Sequence, residues 1–268
     1  MTKPLHELII GIKGAGEMAT GTACRLFQSN FKCIFMMETR NPLAVRRQVS
    51  FCEAIHDDKM IVEGVTAQKV FHTEDIQSAW ANHAIPVIVD PEWACIKAIR
   101  PDVVIDAIIA KKNLGTNLFE APLVISLGPG FEAGKDVHIA IETNRGHNLG
   151  RLILKGCPEP NTGVPGNIEG YTKERVVRAP CTGIFKSSLT IGTLVKKNDV
   201  IGTVDEKPVT TKIKGIIRGQ IRNNISVTDK LKIGDIDPRG NIEYCTTISE
   251  KARAIGGSVL EAILREFN

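Results

Sequence analysis

Residues 8–19 have the sequence LIIGIKGAGEMA, and this stretch decides the expected fold. Its apolar first part, residues 8–12, predicts a buried strand, and the glycines that follow predict a tight turn into a helix over residues 17–29. A second apolar run at residues 33–37 predicts the next strand. Strand, helix and strand in this order form a βαβ unit, which places two parallel strands in one sheet.

Short runs rich in β-branched residues follow at residues 86–90, 102–106 and 122–126. Near-continuous apolar runs of this kind are typical of parallel strands that are buried on both faces. We therefore expect residues 1–170 to form an α/β ligand-binding domain with a Rossmann-like parallel sheet.

The chain changes character after residue 156. Residues 156–170 are rich in glycine and proline, which exclude a regular element and indicate a linker or a functional loop. Residues 176–237 then show short alternating strands at close intervals. These features predict a small all-β barrel domain over residues 171–240.

The last segment, residues 241–268, predicts a C-terminal helix that packs back on the first domain. Ser249 is a plausible N-cap for it. Gly256 and Gly257 stand in the middle of this helix, where each glycine costs about 1 kcal/mol relative to alanine. They predict either close packing or a break.

Composition excludes several classes of function. The net charge of +4 arises from 34 Lys+Arg mixed with 30 Asp+Glu, which disfavours the one-sided basic surface of a nucleic-acid-binding protein. The apolar runs are too short for a membrane helix of roughly 20 residues. The seven cysteines include no Cys-x-x-Cys pair, and no histidines have ligand spacing, so we expect a cytoplasmic protein without a metal site.

The glycine motif suggests a nucleotide site. Gly14, Gly16 and Ala19 fit the pattern G-x-G-x-x-A between a strand and a helix, where backbone N–H groups can bind a pyrophosphate. Glu38 follows Gly16 by 22 residues and stands where a carboxylate would hold a ribose diol, which favours NAD over NADP. The alternative is that both glycines simply make the turn and that Glu38 is a solvated strand-end acid.

Two aspartates end predicted strands. Asp90 and Asp106 follow apolar runs at their carboxyl ends, the edge at which open α/β sheets bind ligands. Either residue could line the ligand crevice or cap the next helix, and the Asp90-Pro91 pair favours a cap.

A polar, glycine-rich cluster at residues 128–150 is the densest group of chemically active side chains. We expect Arg145 to bind a phosphate or carboxylate, and His147 or His138 to carry a proton. The alternation after residue 136 would put His138 and Glu142 on one strand face, although ordinary turns and an exposed face are the alternative. The further candidates for ligand binding are Gly128, Gly130, Asp136, Thr143 and Asn144.

Three stretches together resemble a known family: residues 14–21, residues 127–138 and residues 142–147. They are similar to the bacterial YqeB family of accessory proteins for selenium-dependent molybdenum hydroxylases, which is related to the XdhC maturation factors. The resemblance implies a cytoplasmic maturation factor with a client molybdenum hydroxylase as its partner. It also implies a nucleotide-like ligand or a molybdopterin-type cofactor, carried as cargo, at the sheet edge.

A weaker similarity covers the small β domain. Residues 178–185, 192–202 and 213–218 look like the halves of a biotinyl or lipoyl barrel, so a barrel-sandwich fold is expected. Lys207 is nearest to the lysine that such carriers acylate, but Pro208 follows it, and an unmodified interaction module is favoured.

Two further functions stay open. One is an NAD-dependent oxidoreductase that uses the glycine motif with a histidine as acid and base. The other is a nucleotide-responsive sensor or scaffold without turnover. The sequence does not decide whether the protein is an enzyme or whether it forms a homo-oligomer.

Overall fold

The structure is a computed structural model that describes residues 3–268. These residues divide into two compact units. The first comprises the chain up to Pro42, Ser50–Asn161 and Ile248–Asn268, and the second comprises Leu43–Val49 and Thr162–Thr247. No helix among residues 3–268 is long and apolar enough to cross a membrane.

The first unit is built on a sheet to which residues 3–268 contribute nine strands. In chain order these are β1 (Ile10–Lys13), β2 (Ile34–Glu38), β3 (Lys59–Val62), β4 (Val65–Val70), β5 (Ile85–Val89), β6 (Val103–Asp106), β7 (Leu123–Leu127), β8 (Ile139–Ile141) and β9 (Leu152–Ile153). Their spatial order is β3-β4-β5-β2-β1-β6-β7-β8-β9. The run from β4 to β8 is parallel, whereas β3 and β9 pair antiparallel with their neighbours.

The prediction of a Rossmann-like parallel sheet is wrong, because the sheet is mixed and its helical layer is incomplete. Glu63 and Gly64 both have positive φ and form a tight turn that returns β4 antiparallel to β3. The connections 107–122 and 128–138, both described in full, contain no α-helix. The strands β6 and β7 are nevertheless buried, so irregular segments rather than α-helices cover the sheet there.

The first unit contains the helices α1 (Glu17–Gln28), α2 (Ala54–Asp57), α3 (Asp75–Ala81), α4 (Ala94–Ile99) and α6 (Glu250–Phe267). Of these, α1 and α6 are long and the others are short. The helix α5 (Glu243–Thr246) belongs to the second unit. The Ser249 side chain accepts a hydrogen bond from the Ala252 N–H and caps α6, as predicted. A Cβ at Gly21 would lie 2.7 Å from the Ala252 Cβ, and one at Gly256 would lie 3.0 Å from the Gly21 carbonyl oxygen. Gly21 of α1 and Gly256 of α6 thus allow the two helices to pack in close contact. The helix α6 continues through Gly256 and Gly257 without a break.

The second unit is a β structure with one apolar core. Its strands are β10 (Val176–Arg178), β11 (Gly183–Lys186), β12 (Leu194–Val195), β13 (Val200–Val204), β14 (Lys207–Thr210), β15 (Gly215–Gln220), β16 (Ile225–Val227) and β17 (Lys232–Asp237). They form two four-stranded antiparallel sheets within the described residues, with orders β10-β17-β15-β12 and β14-β13-β11-β16. The prediction of a biotinyl/lipoyl-like barrel is therefore wrong, since alternating apolar residues identify strands but do not determine which strands pair.

A distant segment joins this second unit. Arg46 donates hydrogen bonds to the carbonyl oxygens of Tyr244 and Thr247, and Arg47 donates one to that of Gln220. These bonds explain why Leu43–Val49 cluster with residues more than a hundred positions later in the chain.

Candidate functional site

Strands β2–β5 lie on one side of β1 and strands β6–β9 lie on the other. The strand order therefore reverses at β1. Lys13 ends β1 and is registered with Asp106 at the end of β6. In open sheets of parallel strands, ligands bind outside the carboxyl ends at such a reversal. The fold therefore places a lysine and an aspartate at the point where a ligand site is expected.

Lys13 is fully buried, with 0% of its surface exposed. Its Nζ donates to Thr116 Oγ1 at 2.7 Å and to Glu120 Oε1 at 2.8 Å, and it lies 5.4 Å from the centroid of the Trp93 ring. Two of the three N–H donors of the ammonium group thus have oxygen partners, and the charge also lies within cation–π range of the ring. The buried charge is thus held by one carboxylate, one hydroxyl and one aromatic face.

Asp106 completes this network through Thr116. The Thr116 hydroxyl donates to Asp106 Oδ2 at 2.7 Å, and the Ile108 N–H donates to Asp106 Oδ1 at 3.2 Å. Burial raises the pKa of Asp106, while these hydrogen bonds and the charge of Lys13 oppose the rise. The sequence left open whether Asp106 lines the crevice or caps a helix. In the structure Asp106 is buried and is linked to Lys13 through the Thr116 hydroxyl.

Glu120 lies between Lys13 and solvent. Burial raises the pKa of its carboxyl group, while the hydrogen bond and the charge of Lys13 oppose the rise. Its side chain is 14% exposed and ends the 3₁₀ turn Leu118–Glu120. The Asn113 side chain accepts hydrogen bonds from the N–H groups of Gly115 and Thr116, which fixes the start of the same segment.

A cavity of about 870 Å³ opens on the outer side of Glu120. It runs between α4 and the segment 115–122, which contains no α-helix, and we call it the α4 groove. Trp93 and Glu120 separate it from Lys13, and Phe119 lines it with 95% of its surface exposed. Its wall is completed by the residues Glu92, Ile96, Lys97, Arg100, Pro101, Asp102, Gly115, Asn117, Ala121 and Pro122.

Asp90 supports α4 at one side of this groove. Its carboxylate accepts hydrogen bonds from the N–H groups of Ala94 and Cys95, at 3.0 and 2.8 Å. The predicted capping role of Asp90 is confirmed.

The glycine motif forms the turn from β1 into α1 and makes contacts within the protein. Gly14 has φ +86° and lies against the Ile108 backbone, and Gly16 is the N-cap residue of α1, in which Ala19 is buried. Glu38 Oε2 accepts a hydrogen bond from the Ala15 N–H at 2.8 Å. Glu38 therefore bonds to the loop of the glycine motif itself, and a nucleotide at this motif stays a prediction.

The glycines that follow β7 serve close packing. Gly128 has φ +80°, and a Cβ there would lie 2.5 Å from Thr143 Oγ1. A Cβ at Gly130, with φ +110°, would lie 2.6 Å from the Lys112 backbone. Thr143 is buried, so these glycines bring the loops at the carboxyl edge together.

Glu142 and its neighbours form a second polar cluster at this edge. The Glu142 carboxylate is buried and accepts hydrogen bonds from the N–H groups of Asn144 and Glu159, both at 2.6 Å. The Asn144 side chain donates to Glu159, and Arg145 forms an ion pair with Glu250. These contacts tie the loop to the rest of the first unit.

The structure separates the two histidine candidates. His147 is exposed in the loop at the carboxyl edge, whereas His138 precedes β8 at the opposite, amino edge of the sheet. His138 Nδ1 accepts a hydrogen bond from the Val124 N–H at 2.9 Å, and Asp136 accepts one from the Glu132 N–H. The short β8 thus places His138 and Glu142 at its two ends, and the cluster at residues 128–150 is not one site.

Sequence reasoning missed the buried network. Lys13, Thr116, Glu120 and Phe119 belong to no recognisable motif in the sequence. A charged side chain inside a strand just before a glycine turn was the available signal. Among residues 3–268, no three or more His, Cys, Asp or Glu side chains are grouped so that they could hold a metal ion.

Comparison with curated proteins relates the chain to the uncharacterized protein YqeB of Escherichia coli K12. The two are 48% identical over 259 residues, which cover 97% of this chain and 48% of that protein. The chain is therefore a homologue of YqeB, in agreement with the resemblance seen in its glycine-rich stretches, and it spans about half the length of that relative. No protein-family model matches the chain.

Two solved structures are similar to parts of the chain. One is an aspartoacylase family protein from Mesorhizobium loti, with a TM-score of 0.26 and 10% identity over 85% of this chain and 84% of that one. The other is a succinylglutamate desuccinylase/aspartoacylase from Rhodobacter sphaeroides, with a TM-score of 0.22 and 20% identity over 31% of this chain and 29% of that one.

These comparisons correct the expected function. The matched structures are of the aspartoacylase and succinylglutamate desuccinylase type, and none of the proteins named here is described as acting on molybdenum or selenium. The prediction of a maturation factor with a nucleotide-like or molybdopterin-type ligand at the sheet edge is wrong on this finding. At TM-scores of 0.22 and 0.26, the matched structures assign no activity in its place.

Proposed function

We propose that this homologue of YqeB binds a small organic anion in the α4 groove, with the buried ammonium group of Lys13 as the charge that holds it. The observation that carries the proposal is the position of Lys13. It is fully buried, yet a single side-chain layer formed by Glu120 and Trp93 separates it from a cavity of about 870 Å³.

The volume suits a metabolite. Small-molecule sites commonly measure roughly 300–1,000 Å³ and combine apolar walls with a few convergent polar groups. In the α4 groove the aromatic rings of Trp93 and Phe119 provide apolar surface. Glu120 provides a polar group on its wall, and Lys13 and Thr116 lie directly beneath this carboxylate in the same hydrogen-bonded network.

The charge also supports a ligand role. Replacing a buried ion pair by apolar residues of similar volume is often neutral or stabilising, so such pairs are poor sources of folding stability. A desolvated ammonium group, in contrast, attracts an anion far more strongly than an exposed lysine does. Lys13 is therefore better explained by binding than by stability.

The test is a thermal-shift panel of small carboxylates and phosphate esters, with NAD and NADP included. A ligand at 100 times its Kd should stabilise the wild-type protein by about 2.7 kcal/mol. The same ligand should leave a Lys13→Met/Glu120→Met double variant unshifted, because this variant loses the charge and its partner together. Lys155→Met, which removes an exposed lysine, is the matched control and should respond like the wild type.

The proposal fails if no anion shifts the wild-type protein, or if the double variant responds as strongly as Lys155→Met does.

A further inference from the structure

Glu120 occupies the place that a ligand anion would take. Both of its carboxylate oxygens lie 2.8 Å from Lys13 Nζ, and its side chain also lines the α4 groove. It ends a single 3₁₀ turn in a segment without an α-helix, so its rotation toward solvent breaks no helical hydrogen-bond ladder. The group that Lys13 binds in this structure is thus a carboxylate.

Aromatic side chains line the α4 groove beside the Glu120 carboxylate, and one of them is almost fully exposed. Phe119 is the residue next to Glu120, and it lines the α4 groove with 95% of its surface exposed. Trp93 also lines the groove, and Lys13 Nζ lies over its ring. The wall of the α4 groove thus offers two aromatic side chains to a planar ring, and aromatic pairs are favoured beyond the area that they bury.

Charge limits the ligand to one negative unit at this point. When Glu120 turns away, an incoming carboxylate restores the single negative charge opposite Lys13. A dianionic phosphate would add a second charge beside Asp106, which is linked to Lys13 through the Thr116 hydroxyl. Like charges at this range in a buried site oppose binding.

The other charged groups of the α4 groove do not alter this balance. Lys97, Arg100 and Glu92 are exposed, where solvent screens them. Asp102 is held by the Lys3 ammonium group and the Ile9 N–H, at 2.6 and 2.7 Å.

We infer that the α4 groove binds an aromatic carboxylate, whose carboxylate replaces Glu120 on Lys13 while its ring packs against the aromatic wall formed by Trp93 and Phe119. This inference rests on the proposed function and names its ligand class. It also assigns Glu120 as an internal stand-in for the ligand rather than as part of the ligand's binding surface.

The first test compares four probes on the wild-type protein by calorimetry: benzoate, cyclohexanecarboxylate, acetate and phenyl phosphate. Benzoate should bind roughly three- to tenfold more tightly than cyclohexanecarboxylate, because its ring can stack. Benzoate should also quench tryptophan fluorescence in the wild type but not in Trp93→Phe. Phe119→Ala should remove the preference for benzoate over cyclohexanecarboxylate.

The second test removes the internal carboxylate. Glu120→Ala should bind benzoate at least tenfold more tightly than the wild type, and acetate should raise its Tm more than it raises the wild-type Tm. Glu120→Gln, which keeps the shape of the side chain, provides the same comparison if the alanine variant does not fold.

The results separate this inference from the proposed function. Tighter binding of phenyl phosphate than of benzoate, or no gain in affinity in both Glu120 variants, would overturn the aromatic-carboxylate inference while leaving anion binding by Lys13 intact. If none of the four probes binds while another anion shifts the wild type and not the double variant, this inference also falls and the proposed function stands.

Discussion

The ammonium group of Lys13 lies 2.8 Å from the carboxylate of Glu120, although the two residues are 107 positions apart in the chain. One ends the first strand of the sheet, and the other belongs to a segment that stands where a helix would ordinarily cover the sheet face. The pair exists because the sheet brings β1 beside β6, and because the chain after β6 returns across the face of the sheet without an α-helix.

Removal of Lys13 alone should destabilise the protein more than removal of both partners. Lys13→Met leaves the largely buried Glu120 carboxylate unpaired, which should lower the free energy of unfolding by about 3–5 kcal/mol. The double variant Lys13→Met/Glu120→Met should lose clearly less stability than Lys13→Met, because the Glu120 charge is removed together with its partner. Asp106 then keeps its hydrogen bonds from Thr116 and the Ile108 N–H but loses the charge of Lys13, which raises its pKa further. Urea unfolding measures both values, and equal losses in the two variants would contradict a paired charge.

Asp106 should give the protein a pH dependence with a negative slope. Its folded-state pKa is raised by burial, so the folded protein holds the proton more tightly than the unfolded chain does. The wild type should therefore lose stability relative to Asp106→Asn as the pH rises from about 4 through the raised folded-state pKa. Urea unfolding of both proteins at several pH values checks the slope.

Asp237, in the second unit, provides a control of opposite sign. Burial favours a higher pKa for Asp237, but the Arg239 guanidinium and the Arg218 charge hold its pKa below the ordinary value. Its stabilising contribution should be complete above the unfolded-state pKa and decline as the pH falls through the folded-state pKa. Slopes of the same sign for Asp106→Asn and Asp237→Asn would contradict these assignments.

The contact between α1 and α6 should not tolerate a methyl group at Gly21. Its Cβ would lie 2.7 Å from the Ala252 Cβ, so Gly21→Ala should lower the free energy of unfolding by about 1–3 kcal/mol. Gly257 in α6 has no atom within 4 Å of the corresponding position, and Gly257→Ala should stabilise the helix by up to about 1 kcal/mol. Thermal unfolding of the two variants tests this contrast. Changes in stability of opposite sign would support it, and changes of the same sign would refute it.

Glu38 should act as a structural acceptor within the glycine turn. Glu38→Ala leaves the buried Ala15 N–H without its partner and should lower the free energy of unfolding by about 1–3 kcal/mol. Glu38→Gln keeps an acceptor oxygen and should lose less. Thr39→Ala removes only an exposed hydroxyl that donates to the same carboxylate and should change stability by less than about 0.5 kcal/mol. Chemical unfolding of the three variants ranks them, and a loss in Thr39→Ala as large as that in Glu38→Ala would count against this role.

The limits of sequence reasoning are visible in the two glycine-rich stretches. The turn at Gly14 and the strand before it could be predicted, because apolar runs and glycines act locally. The carboxylate of Glu38 could not be placed, since the same spacing suits a ribose or the Ala15 N–H. In the cluster at residues 128–150, spacing suggested one site, but a three-residue β8 sends His138 and Glu142 to opposite edges.

The sequence by itself determined the βαβ start of the chain, most of the central strands, the β character of residues 176–237 and the capped C-terminal helix. Each of these depends on local periodicity and on the conformations open to glycine, serine and proline. The tertiary structure decided the mixed edges of the sheet, the pairing of the strands in the second unit and the network around Lys13. These depend on contacts between residues that are distant in sequence, and no local pattern encodes which distant side chain will neutralise a buried charge.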